Sequence, residues 1–100
     1  MQRLELDRDH RLLFINFEGL AIDSAGDVDE IEQAVRQLLE PIVTSPAQRV
    51  AAVVNYDNFS IAPALIDSYS AMVARVTQRY YSRVTRYGTG GFLKARLEAA

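Results

Sequence analysis

Five consecutive apolar residues, Val50-Ala51-Ala52-Val53-Val54, constrain this chain more than any other stretch. As a strand, such a run offers no polar side chain on either alternating face, so it belongs at the centre of a sheet. Asn55-Tyr56-Asp57-Asn58 terminates it with turn-forming side chains. A sheet needs partners for this strand, and two more candidates precede it. Leu4 and Leu6 alternate with charged neighbours, the period of a half-buried strand. Asp7-Arg8-Asp9-His10 reads as a turn, and Leu12-Leu13-Phe14-Ile15-Asn16-Phe17 as a strand covered on both faces. Together they predict an N-terminal hairpin, whose second strand ends at Glu18-Gly19.

Between these strands the period changes to that of a helix. Asp27 with Glu30 three residues on fits a capping box, and Asp27, Asp29, Glu30 and Glu32 place negative charge at the positive end of the helix dipole. Val28, Ile31, Val35, Leu38, Leu39 and Ile42 form one apolar stripe, and Pro41 ends or kinks the helix. Thr44-Ser45-Pro46-Ala47 is a loop. A second helix starts near Pro63, buries Leu65, Tyr69, Met72, Val73, Val76 and Tyr80, and turns Arg75 and Arg79 to another side. Ser82–Tyr87 reads as a last strand, and Thr89 as the N-cap of a terminal helix, Gly90–Glu98, packed through Phe92, Leu93 and Leu97. The resulting order, β-β-α-β-α-β-α, predicts a single α/β domain over residues 1–100. Its four-stranded sheet is mostly parallel with an antiparallel first strand, and helices pack on it.

Composition removes several classes of chemistry. The chain has 100 residues, no cysteine and one histidine. Thiolate nucleophiles, disulfides and cysteine-ligated zinc are excluded, and the absence of cysteine suits a reducing cytoplasm. His10 sits in a turn between Asp9 and Arg11, where no partner or pocket for a general base is indicated. The start MQRLELD is no signal peptide, and no apolar run approaches the ~20 residues needed to cross a bilayer. The acidic residues concentrate in the first half and the basic ones in the second, an asymmetry that can steer an anionic ligand or an acidic partner surface.

The remaining candidates are weaker. Glu18 and Asp57 both follow strands. If those strands are neighbours, the two carboxylates share one sheet edge and could approach a hard cation, though the alternative is local capping of backbone N–H groups. Gly88-Thr89-Gly90-Gly91 with Arg86 nearby could hold an anion at a helix N-terminus, or simply cap that helix. Tyrosines and arginines between Val53 and Phe92 could serve nucleic acid, but the acidic balance and the stripe positions of Tyr69 and Tyr80 argue for core packing instead.

Three motifs carry a resemblance: Leu13-Phe14-Ile15-Asn16-Phe17-Glu18-Gly19-Leu20, Val53-Val54-Asn55-Tyr56-Asp57-Asn58-Phe59-Ser60, and Arg79-Tyr80-Tyr81-Ser82-Arg83-Val84-Thr85-Arg86-Tyr87 with Phe92-Leu93. In this order, from about Leu4 to Leu97, the chain resembles the C-terminal segment of bacterial acyl-CoA:acetate/3-ketoacid CoA-transferases. It departs from that segment at Gly88, Gly90 and Gly91, where the family is richer in Thr and Ser. The resemblance implies a C-terminal domain of a larger transferase, or a stand-alone relative. The catalytic glutamate of that family lies in the transferase body, and no position here matches it. The element order also resembles STAS domains of anti-sigma-factor antagonists. Their phosphorylatable serine turn is replaced here by Ser60-Ile61-Ala62-Pro63-Ala64, so the usual switch is not carried.

Three functions follow as expectations, in this order. The first is a non-catalytic accessory or interaction domain of a CoA-transferase, cytoplasmic, without catalytic residue, metal or cofactor. Its contact surface would be Asn55, Tyr56, Asp57, Phe59, Arg83, Arg86 and Tyr87. Its partner would be the transferase catalytic domain in cis or trans, near acyl-CoA, with no nucleic acid or membrane and with room for a homo-oligomer. The second is a STAS-like regulatory protein-binding module lacking the phosphoserine. The third is a small enzyme using Glu18 or Asp57.

Overall fold

The computed structural model describes residues 1–88. The expected terminal helix, Gly90–Glu98, lies outside the described residues. Six strands and two helices follow in order: β1 Leu4–Asp7, β2 Leu12–Asn16, β3 Ala21–Ile22, α1 Ala25–Leu39, β4 Val50–Asn55, β5 Ser60–Ile61, α2 Ile66–Tyr80 and β6 Tyr81–Tyr87. The main sheet has four strands in the order β1-β2-β4-β6. β1 pairs antiparallel with β2, whereas β2–β4 and β4–β6 are parallel. The α/β architecture with an antiparallel first strand is the one the patterning predicts.

Both parallel connections step in the same direction across the sheet. Right-handed crossovers therefore lay α1 and α2 side by side on one face. Leu13 and Ile15 of β2, and Val50, Ala52 and Val54 of β4, point into this layer and meet Val28, Ile31, Val35 and Leu39 of α1. Tyr69, Met72, Val73, Val76 and Tyr80 of α2 complete the core. The apolar stripes deduced for both helices are thus the buried ones.

The opposite face differs from expectation. β2 is not covered on both sides: Phe14 is 43% exposed, and Asn16 is exposed too. Ladder register assembles this open face in rows. One row runs Glu5, Phe14, Val53, Thr85, a second Asp7, Leu12, Ala51, Arg83, and a third Asn16, Asn55, Tyr87. Among the described residues no helix lies over these rows. The continuous apolar run of β4 fits this arrangement. Its small residue Ala51 is shielded by neighbouring strands, whereas Phe14 stands proud of the sheet.

Local signals explain the helix ends, with one correction. Asp27 is not the N-cap. Ser24 takes that place, its hydroxyl accepting from the Asp27 N–H at 3.2 Å. The Asp27 carboxylate reaches back to the N–H groups of Asp23 and Ser24 at 2.9 and 3.1 Å. The capping box therefore sits one turn earlier than the Asp27–Glu30 reading, because the aspartate acts as the acceptor at its third position. Pro41 then prevents continuation, and the Leu39 carbonyl is capped by the N–H groups of Ile42 and Val43. Pro63 opens a single 3-10 turn, Pro63–Leu65, that leads into α2.

Candidate functional site

In open α/β sheets, ligands meet the carboxyl ends of the parallel strands. Here that rim is formed by the segments leaving β2 and β4 and by the end of β6. Asn16 and Asn55 occupy matching positions at the ends of β2 and β4. The Asn16 carboxamide oxygen accepts from the Glu18 N–H at 3.2 Å, and that of Asn55 from the Asp57 N–H at 2.9 Å. Each asparagine thereby sets a local turn. The two are tied together, since Asn55 Nδ2 donates to Asn16 Oδ1 at 3.3 Å. Arg3 closes the row, donating through Nη1 to the carbonyls of Asn16 and Glu18 at 3.1 and 2.9 Å.

Beyond the asparagines, the two loops continue to pair. Phe17 N–H donates to Asn55 C=O, Gly19 N–H to Asp57 C=O, Ser60 N–H to Leu20 C=O and Ala62 N–H to Ile22 C=O. β3 and β5 are the regular part of this ladder. Neither two-residue strand has a periodic signal, which is why sequence reasoning missed them. Glu18 and Asp57 are indeed on one sheet edge, but in loops held by backbone bonds. Among the described residues no group of three or more His, Cys, Asp or Glu side chains could hold a metal ion.

The expected contact surface divides between three environments. Tyr56 is 2% exposed and belongs to the core, its hydroxyl 2.7 Å from that of Tyr69. Phe59 is half-buried and packs beside it, with ring centroids 4.9 Å apart at 75°. Phe17 and Tyr69 complete this aromatic cluster under the rim. Asn55, Arg83 and Tyr87 lie on the open face, and Asp57 is exposed at the rim. Arg86 points the other way. It follows Val84 on the helix-covered side of β6 and lines a 20 Å³ cavity with Tyr56, Tyr69 and Tyr81. Its Nε is buried and has no partner among the described residues. The clue was available: Val84 and Arg86 share strand parity, so a core-facing Val84 carries Arg86 inward.

This inner polar cluster has a clear electrostatic character. Burial pushes the Tyr56 phenol above its ordinary value of 10.0, while the Tyr69 hydroxyl and the Arg86 guanidinium work against the rise. Burial raises Tyr69 and Tyr81 further. All three phenols are neutral near pH 7, and those of Tyr56 and Tyr69 bond each other within the core.

A second concavity, of 470 Å³, lies along the outer sides of α1 and α2. Two of its arginines are engaged by carboxylates. Arg75 grips Glu32 with two bonds of 2.9 and 2.8 Å, and Arg79 donates to Glu40 at 2.9 Å. Tyr80 donates its hydroxyl to the other Glu40 oxygen. His10 is exposed and hydrogen-bonded to Asp7 at 2.9 Å. No helix among the described residues is long and apolar enough to cross a membrane.

Among the described residues, the fold and the rim define an α/β domain with both helices on one face of the sheet and no helix over the other. Comparison with protein-family profiles, curated proteins and solved structures finds no match.

Proposed function

We propose that this chain is a non-catalytic interaction domain of a CoA-transferase-like protein, docking onto the transferase body through the open face of its sheet. One observation carries the docking part. Parallel sheets are ordinarily covered on both faces. Here the second face presents Phe14, 43% exposed, flanked by half-buried Leu12 and Val53 and rimmed by Glu5, Asp7 and Arg83. An apolar centre within a polar rim is the usual anatomy of a protein–protein contact. The identity of the partner rests on the resemblance of the three motifs. The carboxamide oxygens of Asn16 and Asn55 at the rim are bonded to backbone N–H groups, which suits a part in shaping the loops. A cytoplasmic setting suits a chain without cysteine.

The regulatory reading has less support. Ser60 lies within β5, where its N–H already donates to the Leu20 carbonyl.

The test is co-sedimentation of the purified chain with an acyl-CoA:acetate-type transferase body lacking this segment. Association is expected, and Phe14→Asp should abolish it while leaving the folded chain's thermal midpoint in place. No association, or association indifferent to Phe14→Asp, overturns the docking surface. The chain alone should transfer no CoA to acetate. Turnover above the buffer rate would sink the non-catalytic assignment.

A further inference from the structure

We propose that two copies of this chain associate edge to edge through β6, antiparallel, with Thr85 on the twofold axis. This contact is made by the β6 backbone edge, at the border of the open face where Arg83, Thr85 and Tyr87 end its rows, and does not depend on the transferase reading.

β6 is one edge of the main sheet and, with seven residues, its longest strand. The other edge, β1, has four residues. The direction of the β6 backbone follows from one bond: the Tyr56 N–H donates to the Tyr87 carbonyl at 2.8 Å. Tyr87 therefore turns its peptide groups toward β4, and strand alternation makes Thr85 and Arg83 do the same. The N–H and C=O groups of Ser82, Val84 and Arg86 consequently face away from the sheet. Among the described residues no strand pairs with them. Natural edges are blunted by proline, by bulges, by brevity or by charged side chains, of which β6 carries Arg83 and Arg86. β6 has no proline, and its one irregularity lies between Tyr81 and Arg83, opposite Val50 and Ala51. Arg83 to Tyr87 is regular. At Gly88 a Cβ would lie 2.7 Å from the Asp57 nitrogen, so the strand end runs close to the segment after β4.

The side chains select a second copy and a register. A twofold axis normal to the sheet keeps each copy's faces aligned, so only residues of like parity can oppose each other. Centring on Arg83 or Arg86 sets a guanidinium against its own copy, which is repulsive. Centring on Val84 requires Tyr87 to meet Tyr81, which is buried in the core. Centring on Thr85 opposes Arg83 of each copy to Tyr87 of the other, twice, and Thr85 to itself. All of these side chains are exposed. A guanidinium across from a tyrosine ring is a favourable cation–π pair, and paired threonines are among the better cross-strand contacts. In the same register Val84 and Arg86 exchange their outward N–H and C=O groups with the partner copy. The result is one continuous eight-stranded sheet with both open faces on the same side.

Sedimentation of the full chain should give a concentration-dependent species of twice the 11.2 kDa chain mass. Thr85→Lys sets like charges across the axis and should return the chain to 11.2 kDa, still folded, with a thermal midpoint that no longer rises with concentration. The chain has no cysteine, so a single one reports cleanly. Thr85→Cys falls at a non-hydrogen-bonded antiparallel pair, whose separation suits a disulfide. It should crosslink two chains on mild oxidation when folded and lose that crosslink in urea, whereas Ser82→Cys should not crosslink. A chain of 11.2 kDa at every concentration overturns the proposal. So does a dimer that survives Thr85→Lys and is not trapped by Thr85→Cys.

Discussion

The hydroxyls of Tyr56 and Tyr69 meet at 2.7 Å inside the core, joining the end of the central strand to the first turns of α2. Arg86 of the edge strand approaches the same point from the third side. A buried polar group left without its partner costs about 1–3 kcal/mol, more than a satisfied pair contributes. Tyr69→Phe should therefore destabilise the domain by roughly 1–2 kcal/mol in urea titration. Tyr56→Phe should cost more, because it removes a hydroxyl facing both Tyr69 and Arg86. The double variant should cost less than the two added together. Simple additivity would show that the hydroxyls do not interact.

The same burial predicts behaviour in alkali. Tyr56, Tyr69 and Tyr81 have folded values raised above 10.0. The unfolded chain ionises these phenols first, so their contribution is complete below pH 10 and declines as pH rises beyond it. Denaturation should steepen above pH 10, with phenolate absorbance from these residues appearing together with loss of helical circular dichroism. Phenolate formation by all of them in a still-folded chain would contradict this.

Two glycines separate strain from clash. Gly19 has φ +68° and open space where a Cβ would be, whereas Gly88 has φ +80° and would place a Cβ 2.7 Å from the Asp57 nitrogen. Gly19→Ala should cost about 1 kcal/mol, the penalty of a left-handed residue. Gly88→Ala adds a backbone collision and should cost clearly more by thermal denaturation. Equal costs would mean that the strand end is free to shift.

The Glu32–Arg75 pair governs part of the acid limb. The hydrogen bonds from Arg75 hold the Glu32 carboxyl below its ordinary value of 4.5. Its stabilisation is therefore present above pH 4.5 and lost as pH falls through the lowered folded value. The arginine is 57% exposed, so solvent screening keeps the contribution below about 1 kcal/mol. Glu32→Gln should flatten the stability profile below pH 4.5 and leave the profile above pH 6 parallel to that of the parent chain. An unchanged acid slope would remove the pair from the account.

Hydrophobic period made the main elements legible. Val50–Val54 is the inner strand it promised to be, and the stripes of α1 and α2 are the buried ones. The failures have physical reasons. A short apolar run does not reveal whether a second layer exists, so Phe14 was read as covered. A strand-terminating tyrosine can fold under the sheet, and Tyr56 does. Arg86 was grouped with Arg83 by composition, although strand parity separates them. The loop ladder around β3 and β5 arises from backbone bonds alone, which leave no trace in side-chain pattern.

That ladder also bears on how the chain can vary. Because the loop after β2 is bonded residue by residue to the loop after β4, an insertion in one would leave N–H groups of the other unmatched. The two loops must lengthen together or not at all. The turn at Asp7–Arg11 and the connection at Thr44–Gln48 share no backbone ladder and meet through a side-chain bond, Arg11 Nη1 donating to the Gln48 carbonyl at 2.8 Å, so tolerance for added residues should be greater there, at the end of the sheet away from the rim.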